Sequence, residues 1–230
     1  MTNENRIPDM PEVTINQEIR TLGPNLRLGI LRASVVVKPS TSETKEILNK
    51  NALISSYGLT VDSLKELQEI LAFRDFYKKL GKDPSRYRPS SEMLLRRVIQ
   101  GKGLYNINNV VDLMNAVSMN SKFPMGFYDT HNIQGKVMLR IGKEGESFPG
   151  IRKEDVNVES LPVFADDFGP FGNPTSDSER TMIKPETKKI MVVIFSFSQE
   201  NSKTLEEVGE KAKFLLRKFA SGEDLSFNVV

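Results

Sequence analysis

The sequence has no cysteine and a single histidine, His131. The first absence excludes disulfides, thiolate catalysis and cysteine-ligated metals, and it suits a reducing compartment. The second excludes any multi-histidine metal centre and leaves one residue for any Ser-His-Asp triad. No metal or other cofactor is therefore expected. Long hydrophobic runs are missing as well. The longest, Ile190 to Phe197, is far too short to cross a bilayer. Pro8, Pro11 and Pro24 interrupt the beginning of the chain, which does not read as a signal peptide. The expectation is a cytoplasmic protein with no membrane partner. An excess of charge is also lacking. With a formal net charge of +2, the chain as a whole has little attraction for a polyanion, so no DNA partner is expected and any phosphate-binding site must be local.

What is present fits an ordinary globular domain: 230 residues, 38% hydrophobic and 27% charged. The chain is read as one domain, 1–230, with 1–60 as an N-terminal elaboration and 203–230 as a C-terminal helix and strand. Residues 12–18 and 28–37 read as strands, the second carrying Val35, Val36 and Val37 before Pro39. Helices are predicted over 41–56 and 61–80, the latter with Leu64, Leu67, Leu71 and Leu80 on its inward face, and over 92–100. Pro124 and Gly126 are read as a break. Strands are predicted over 136–141, 161–165, 190–197 and 225–229, with 166–177 as a long loop. Leu205, Val208, Ala212, Leu215 and Phe219 form the stripe of a last helix, 203–219, whose acids lie early and bases late, as the helix dipole favours. The order of elements is mixed, so the fold class is α+β, with mixed or antiparallel sheets and packed helices.

A helix over 108–121 is the most informative segment. Ile107, Val110, Val111, Met114 and Val117 form one apolar stripe, and Asn108, Asp112, Asn115 and Met119 share another face. From Gly103 to Ser121 there are five asparagines, one acid and no lysine or arginine, which is unlike a solvated helix. Asparagine is a poor interior helix residue because its amide competes for backbone partners. Either these amides brace neighbouring loops or they line a polar pocket.

Several motifs stand in order. They are Ile107-Asn108-Asn109-Val110-Val111-Asp112-Leu113-Met114-Asn115, then Pro124-Met125-Gly126-Phe127-Tyr128-Asp129, then Gly135 to Arg140, then Phe164-Ala165-Asp166-Asp167-Phe168-Gly169-Pro170. This series resembles the B3/B4 domain of the phenylalanyl-tRNA synthetase beta subunit over about residues 85–200. Arg88-Pro89-Ser90-Ser91-Glu92 and Ser178-Glu179-Arg180-Thr181 are similar to a free-standing subgroup of it. The resemblance implies a B3/B4-like fold and an editing module that hydrolyses mischarged aminoacyl-tRNA. Asn115 matches the family's pocket asparagine. Gly126 stands where the synthetases place a histidine, and Met191 to Ile194 carry no acid where they place a glutamate.

A deacylase needs a positioned water and donors for the developing oxyanion. By the resemblance, Asn115, Arg180 and Thr181 are the candidate catalytic residues, and Asn108, Asp112, Gly126 and Ser178 the candidate substrate-binding ones. Residues 74–102 hold nine Lys or Arg against three acids, with Phe73, Phe76, Tyr77 and Tyr87 interleaved. Such a patch neutralises phosphates and stacks unpaired bases. Arg86, Arg88, Arg96, Arg97 and Lys102 are the candidate RNA-binding residues, for tRNA or aminoacyl-tRNA, although a solvated helical face has the same composition. Three functions stay open: editing in trans, a non-catalytic module for tRNA or an amino-acid-like ligand, and a partner-binding relic. The triplet Asp167-Phe168-Gly169 has no kinase catalytic loop beside it, and Gly101-Lys102-Gly103 lacks the rest of a phosphate loop.

Overall fold

A computed structural model describes residues 11–152, 154–198 and 202–230. In chain order its first elements are β1 (Val13–Ile15), α1 (Gln17–Leu22), β2 (Arg27–Ser34), α2 (Ser42–Ser56), α3 (Gln68–Lys79), α4 (Ser90–Ile99) and α5 (Asn109–Ser121). The strands β3 (Met125–Asp129), β4 (Val137–Ile141), β5 (Ser147–Pro149), β6 (Asp155–Asn157), β7 (Pro162–Asp166), β8 (Gly169–Asn173), β9 (Ser176–Asp177) and β10 (Lys189–Ser196) follow, then α6 (Ser202–Phe219) and β11 (Glu223–Val229). The class is α+β.

A four-stranded antiparallel sheet runs β11-β2-β10-β3, and a five-stranded sheet runs β1-β4-β7-β8-β9 with only β1–β4 parallel. The four-stranded sheet is the middle layer. Alternate residues of β10 show this. Ile190, Val192 and Ile194 enter a core with Val110, Met114 and Val117 of α5 and Leu205 and Leu216 of α6. Met191, Val193 and Phe195 enter a second core with Phe73 and Tyr77 of α3 and Leu139, Phe164 and Phe171 of the other sheet. A strand buried on both faces needs a continuous apolar run rather than alternation, which is what β10 has. β2 is an inner strand, so residues before 60 are woven into this layer. Among the described residues, no helix is long and apolar enough to cross a membrane.

Local chemistry explains where structure and sequence reading differ. The strand expected at 12–18 stops after Ile15 because Asn16 caps α1, its Oδ1 accepting from Glu18 N at 2.8 Å. The helix expected at 61–80 is interrupted: a 3₁₀ turn covers Ser63–Glu66 and α3 starts afresh at Gln68. The phase shift turns Leu71 out, 46% exposed, and brings Ile70, Phe73, Phe76 and Tyr77 inward. The 166–177 loop is mostly a hairpin, β8–β9, whose turn closes when Asn173 Oδ1 accepts from Thr175 N and Ser176 N, both at 2.8 Å. Of the break expected at Pro124 and Gly126, Pro124 lies in the irregular connection after α5, while Gly126 belongs to an edge strand, β3.

Candidate functional site

The asparagines of α5 separate by partner. Asn108 caps the helix, accepting from Val111 N at 2.9 Å. Asn109 accepts from Lys38 N at 2.9 Å and donates to Val36 O and Phe219 O at 3.0 and 3.1 Å, tying α5 to the ends of β2 and α6. Asp112 is fully buried and accepts from Ser40 Oγ at 2.6 Å and Ile107 N at 3.0 Å. These side chains brace the backbone. One helical turn on, Asn115 is half-buried and its side chain makes no hydrogen bond with any described residue. Its amide faces a cleft.

The cleft, about 230 Å³, lies between α4, α5, the outer edge of β3 and the β8–β9 turn. Met93, Leu94, Met125, Phe127 and Ile151 supply apolar walls, and Asn115, Arg97, Ser90, Thr175, Ser176 and Asp177 supply the polar groups. The edge amides of β3 are already used: Met125 N donates to Ser90 Oγ at 3.0 Å and Phe127 N to Asp177 Oδ2 at 3.3 Å. Capping the edge with side chains closes it to another strand and fixes both groups in the wall. A wider depression, about 480 Å³, is lined by Arg217 and residues 221–225, but it holds none of the motif residues.

Arg97 reaches the cleft from the last turn of α4. Its Nε donates to Gly103 O at 3.2 Å, and its guanidinium lies 4.2 Å from the centre of the Tyr105 ring. The neighbouring Arg96 is directed elsewhere: Arg96 and Arg74 both pair with Glu92, at 2.8 and 3.0 Å, and that carboxylate is fully buried. Arg86, Arg88 and Lys102 are exposed. Arg86 lies 3.8 Å from Asp83, while Arg88 and Lys102 have no side-chain partner among the described residues.

Arg180 is not among the residues lining the cleft. It forms two 2.9 Å bonds with Asp166 and donates to Asn132 O at 2.7 Å, pinning the turn after β7. Thr181 is fully buried, its Oγ1 without a hydrogen-bond partner, and Ser178 Oγ accepts from Arg180 N at 3.2 Å. Gly126 is buried and points to the other side of the sheet. There the Tyr128 ring lies across both Gly126 and Gly172, leaving no space for a side chain at either. Burial, reinforced by the nearby Asp177 carboxylate, holds the Tyr128 phenol well above its ordinary pKa. His131 is exposed in the turn after β3, its backbone N–H held by Asp129 at 3.0 Å. The structure thus brings together Asn115 and Arg97 of the sequence-selected residues. It keeps Arg180, Thr181, Ser178, Gly126, Asn108 and Asp112 out of the cleft lining.

Asp177 and the apolar walls were not singled out from sequence. The one available signal was the Asn173-Pro174 turn leading directly into the Ser178-Glu179-Arg180-Thr181 segment. Among the described residues no histidine and carboxylate groups converge as a metal would require.

The fold and cleft define an α+β domain with one amide-bearing pocket at a sheet edge. A family model described as the B3/4 domain matches residues 72–218. The chain belongs to the B3/4 domain family. It is 33% identical over 123 residues to a phenylalanine–tRNA ligase beta subunit of Fusobacterium nucleatum, a match covering 50% of this chain and 15% of the relative. It is 32% identical over 73 residues to the same subunit of a Wolbachia species of Brugia malayi, covering 31% of this chain and 9% of the relative. Among solved structures, an N-terminal fragment of the phenylalanyl-tRNA synthetase beta subunit from Pyrococcus horikoshii aligns with a TM-score of 0.46 and 12% identity. That alignment covers 92% of this chain and 49% of the fragment. The matches thus cover a small part of each curated relative.

Proposed function

We propose that this chain binds the aminoacyl-bearing end of a tRNA in the cleft at Asn115, as a module acting in trans. The observation that carries the reading is the Asn115 amide. It is placed by a helix whose other polar groups are all committed, it has no partner among the described residues, and it faces apolar walls. A donor–acceptor amide in an apolar cleft orients a ligand through a few polar contacts. Arg97 in the same lining supplies a guanidinium for phosphate or carboxylate. Arg86, Arg88 and Lys102, which flank the cleft-lining helix α4 in sequence, are exposed and suit an RNA backbone. Membership of a family whose relatives are named as tRNA ligase subunits supports the same class of partner.

Binding without hydrolysis is the form we favour. Ester cleavage needs groups aimed at the developing oxyanion. Arg180 is spent on Asp166, Thr181 is buried away from the cleft lining, and the β3 edge amides already have acceptors. The test is equilibrium binding of uncharged tRNA, and of a panel of tRNAs carrying a non-hydrolysable amide-linked amino acid, alongside deacylation of the matching esters. Tighter binding of one aminoacyl form, lost in Asn115→Ala, is expected. Ester hydrolysis abolished by Asn115→Ala would replace the binding-only form with editing. Absence of binding to every RNA would overturn the proposal.

A further inference from the structure

The loop joining α4 to α5 presents a feature that the cleft alone does not require. Between Glu92 and Asp112 there is no acid, while Arg96, Arg97 and Lys102 fall in that interval. Gly101 and Gly103 adopt φ of +69° and +62°, a left-handed backbone that glycine tolerates without strain. The resulting turn brings Gly103 O under Arg97 Nε and carries Tyr105 back beneath the guanidinium. Tyr105 remains 65% exposed, so its ring is held at the surface rather than packed. The guanidinium is fixed in plane by its Nε bond, and its Nη1 has no partner among the described residues. Met93 and Ile151, 40% and 37% exposed, belong to the same cleft lining as Arg97.

A fixed cation on an exposed aromatic face, at the rim of a cleft and next to the exposed Lys102, combines the two parts of single-strand recognition. These are a flat π-surface and donors for phosphate or ribose oxygens. An exposed Arg–Tyr pair by itself contributes little to folding. What sets Tyr105 apart from the exposed aromatics Tyr57 and Phe214 is the guanidinium held over its ring and its place next to the cleft residue Arg97. We propose that Arg97 and Tyr105 form a platform on which the terminal, unpaired nucleobase of the bound RNA stacks, with Lys102 and Arg97 on its phosphate. This rests on the reading of the cleft as a site for a tRNA end. It adds that the base, not only the amino acid and the phosphates, is recognised.

The test uses the full chain and an acceptor-stem minihelix RNA with an unpaired 3′ end, prepared with its terminal base and with that position abasic. At fixed salt, removal of the base should weaken binding roughly tenfold, within the range for loss of one stacked base. Tyr105→Leu should weaken binding of the intact RNA by a similar factor and abolish the difference between the two RNAs, while Tyr105→Phe should keep both. Because Tyr105 is exposed, these variants fold as the parent does. If the unaltered chain binds intact and abasic RNA equally, or Tyr105→Leu still distinguishes them, the platform is overturned and the cleft reading survives. If the unaltered chain binds neither RNA, both fall together.

Discussion

A single methyl group at position 126 tests the packing that separates this chain from the histidine-bearing pattern it resembles. In Gly126→Ala the new Cβ would stand 2.6 Å from Tyr128 Cζ, 3.0 Å from Cε2, and closer still to the hydroxyl. Real carbon contacts lie near ~3.5–4 Å, so something must move. Tyr128 has little room to withdraw. A Cβ at Gly172 would meet the same ring at 2.7 Å, and Phe171 stands edge-on to it with centroids 5.0 Å apart. Two effects oppose each other. Replacing glycine where the backbone is extended stabilises by about 0.4–1 kcal/mol through the unfolded chain. Overpacking a filled core costs about 1–3 kcal/mol, and the clamped ring places this case at the upper end. The net is a destabilisation of about 2 kcal/mol. For a domain of this size it lowers the thermal midpoint by roughly 4–8 °C. Urea unfolding of Gly126→Ala, Tyr128→Leu and the double variant measures it. The cost at 126 should shrink by more than about 1 kcal/mol once the ring is removed, since neighbours in contact are not additive. An unchanged midpoint in Gly126→Ala, or strict additivity in the double variant, would refute the argument that Tyr128 fills the place of a side chain at 126.

Three further outcomes are expected. Asn109→Ala should cost about 2 kcal/mol in urea unfolding, because it strips partners from Lys38 N, Val36 O and Phe219 O together. Asn115→Ala should stay within about 0.5 kcal/mol of the parent, since no group among the described residues loses a bond; equal losses at the two positions would remove the distinction between brace and ligand group. Lys122 ends α5 in the left-handed conformation, donating to Ser55 O and Met119 O, and burial lowers its pKa to about 8. Between about 8 and the ordinary lysine value the unfolded chain holds a proton that the folded chain has released, so this group makes stability rise with pH across that window. In unfolding measured from pH 7 to pH 10, the parent should gain stability relative to Lys122→Met, and parallel curves would contradict the shift.

Which features were legible in the sequence follows from how local their causes are. The last helix is visible because its stripe, its dipole-matched charges and its fold all agree: Leu205, Val208, Ala212 and Leu215 are buried as their spacing requires. β10 was visible as an apolar run. Its place as the inner strand of the middle layer was not, because both faces are chosen by partners from β2 and β3 far away in sequence. The hairpin at 169–177 was hidden for the opposite reason. Glycines and prolines there signal a loop, and pairing with β7 overrides the signal through backbone bonds to which side-chain propensity is blind. The asparagines of α5 show the limit most sharply. Composition alone marked the helix as unlike a solvated one. It could not tell Asn109, which holds three backbone groups, from Asn115, which holds none, because the difference lies in whether another segment reaches that face. Arg96 and Arg97 divide in the same way. They are adjacent and chemically identical, yet Glu92, one helical turn before Arg96, captures that residue as an i,i+4 pair and leaves Arg97 for the cleft. In both pairs a contact elsewhere in the chain decides which residue is bound to a neighbouring segment and which one lines the cleft.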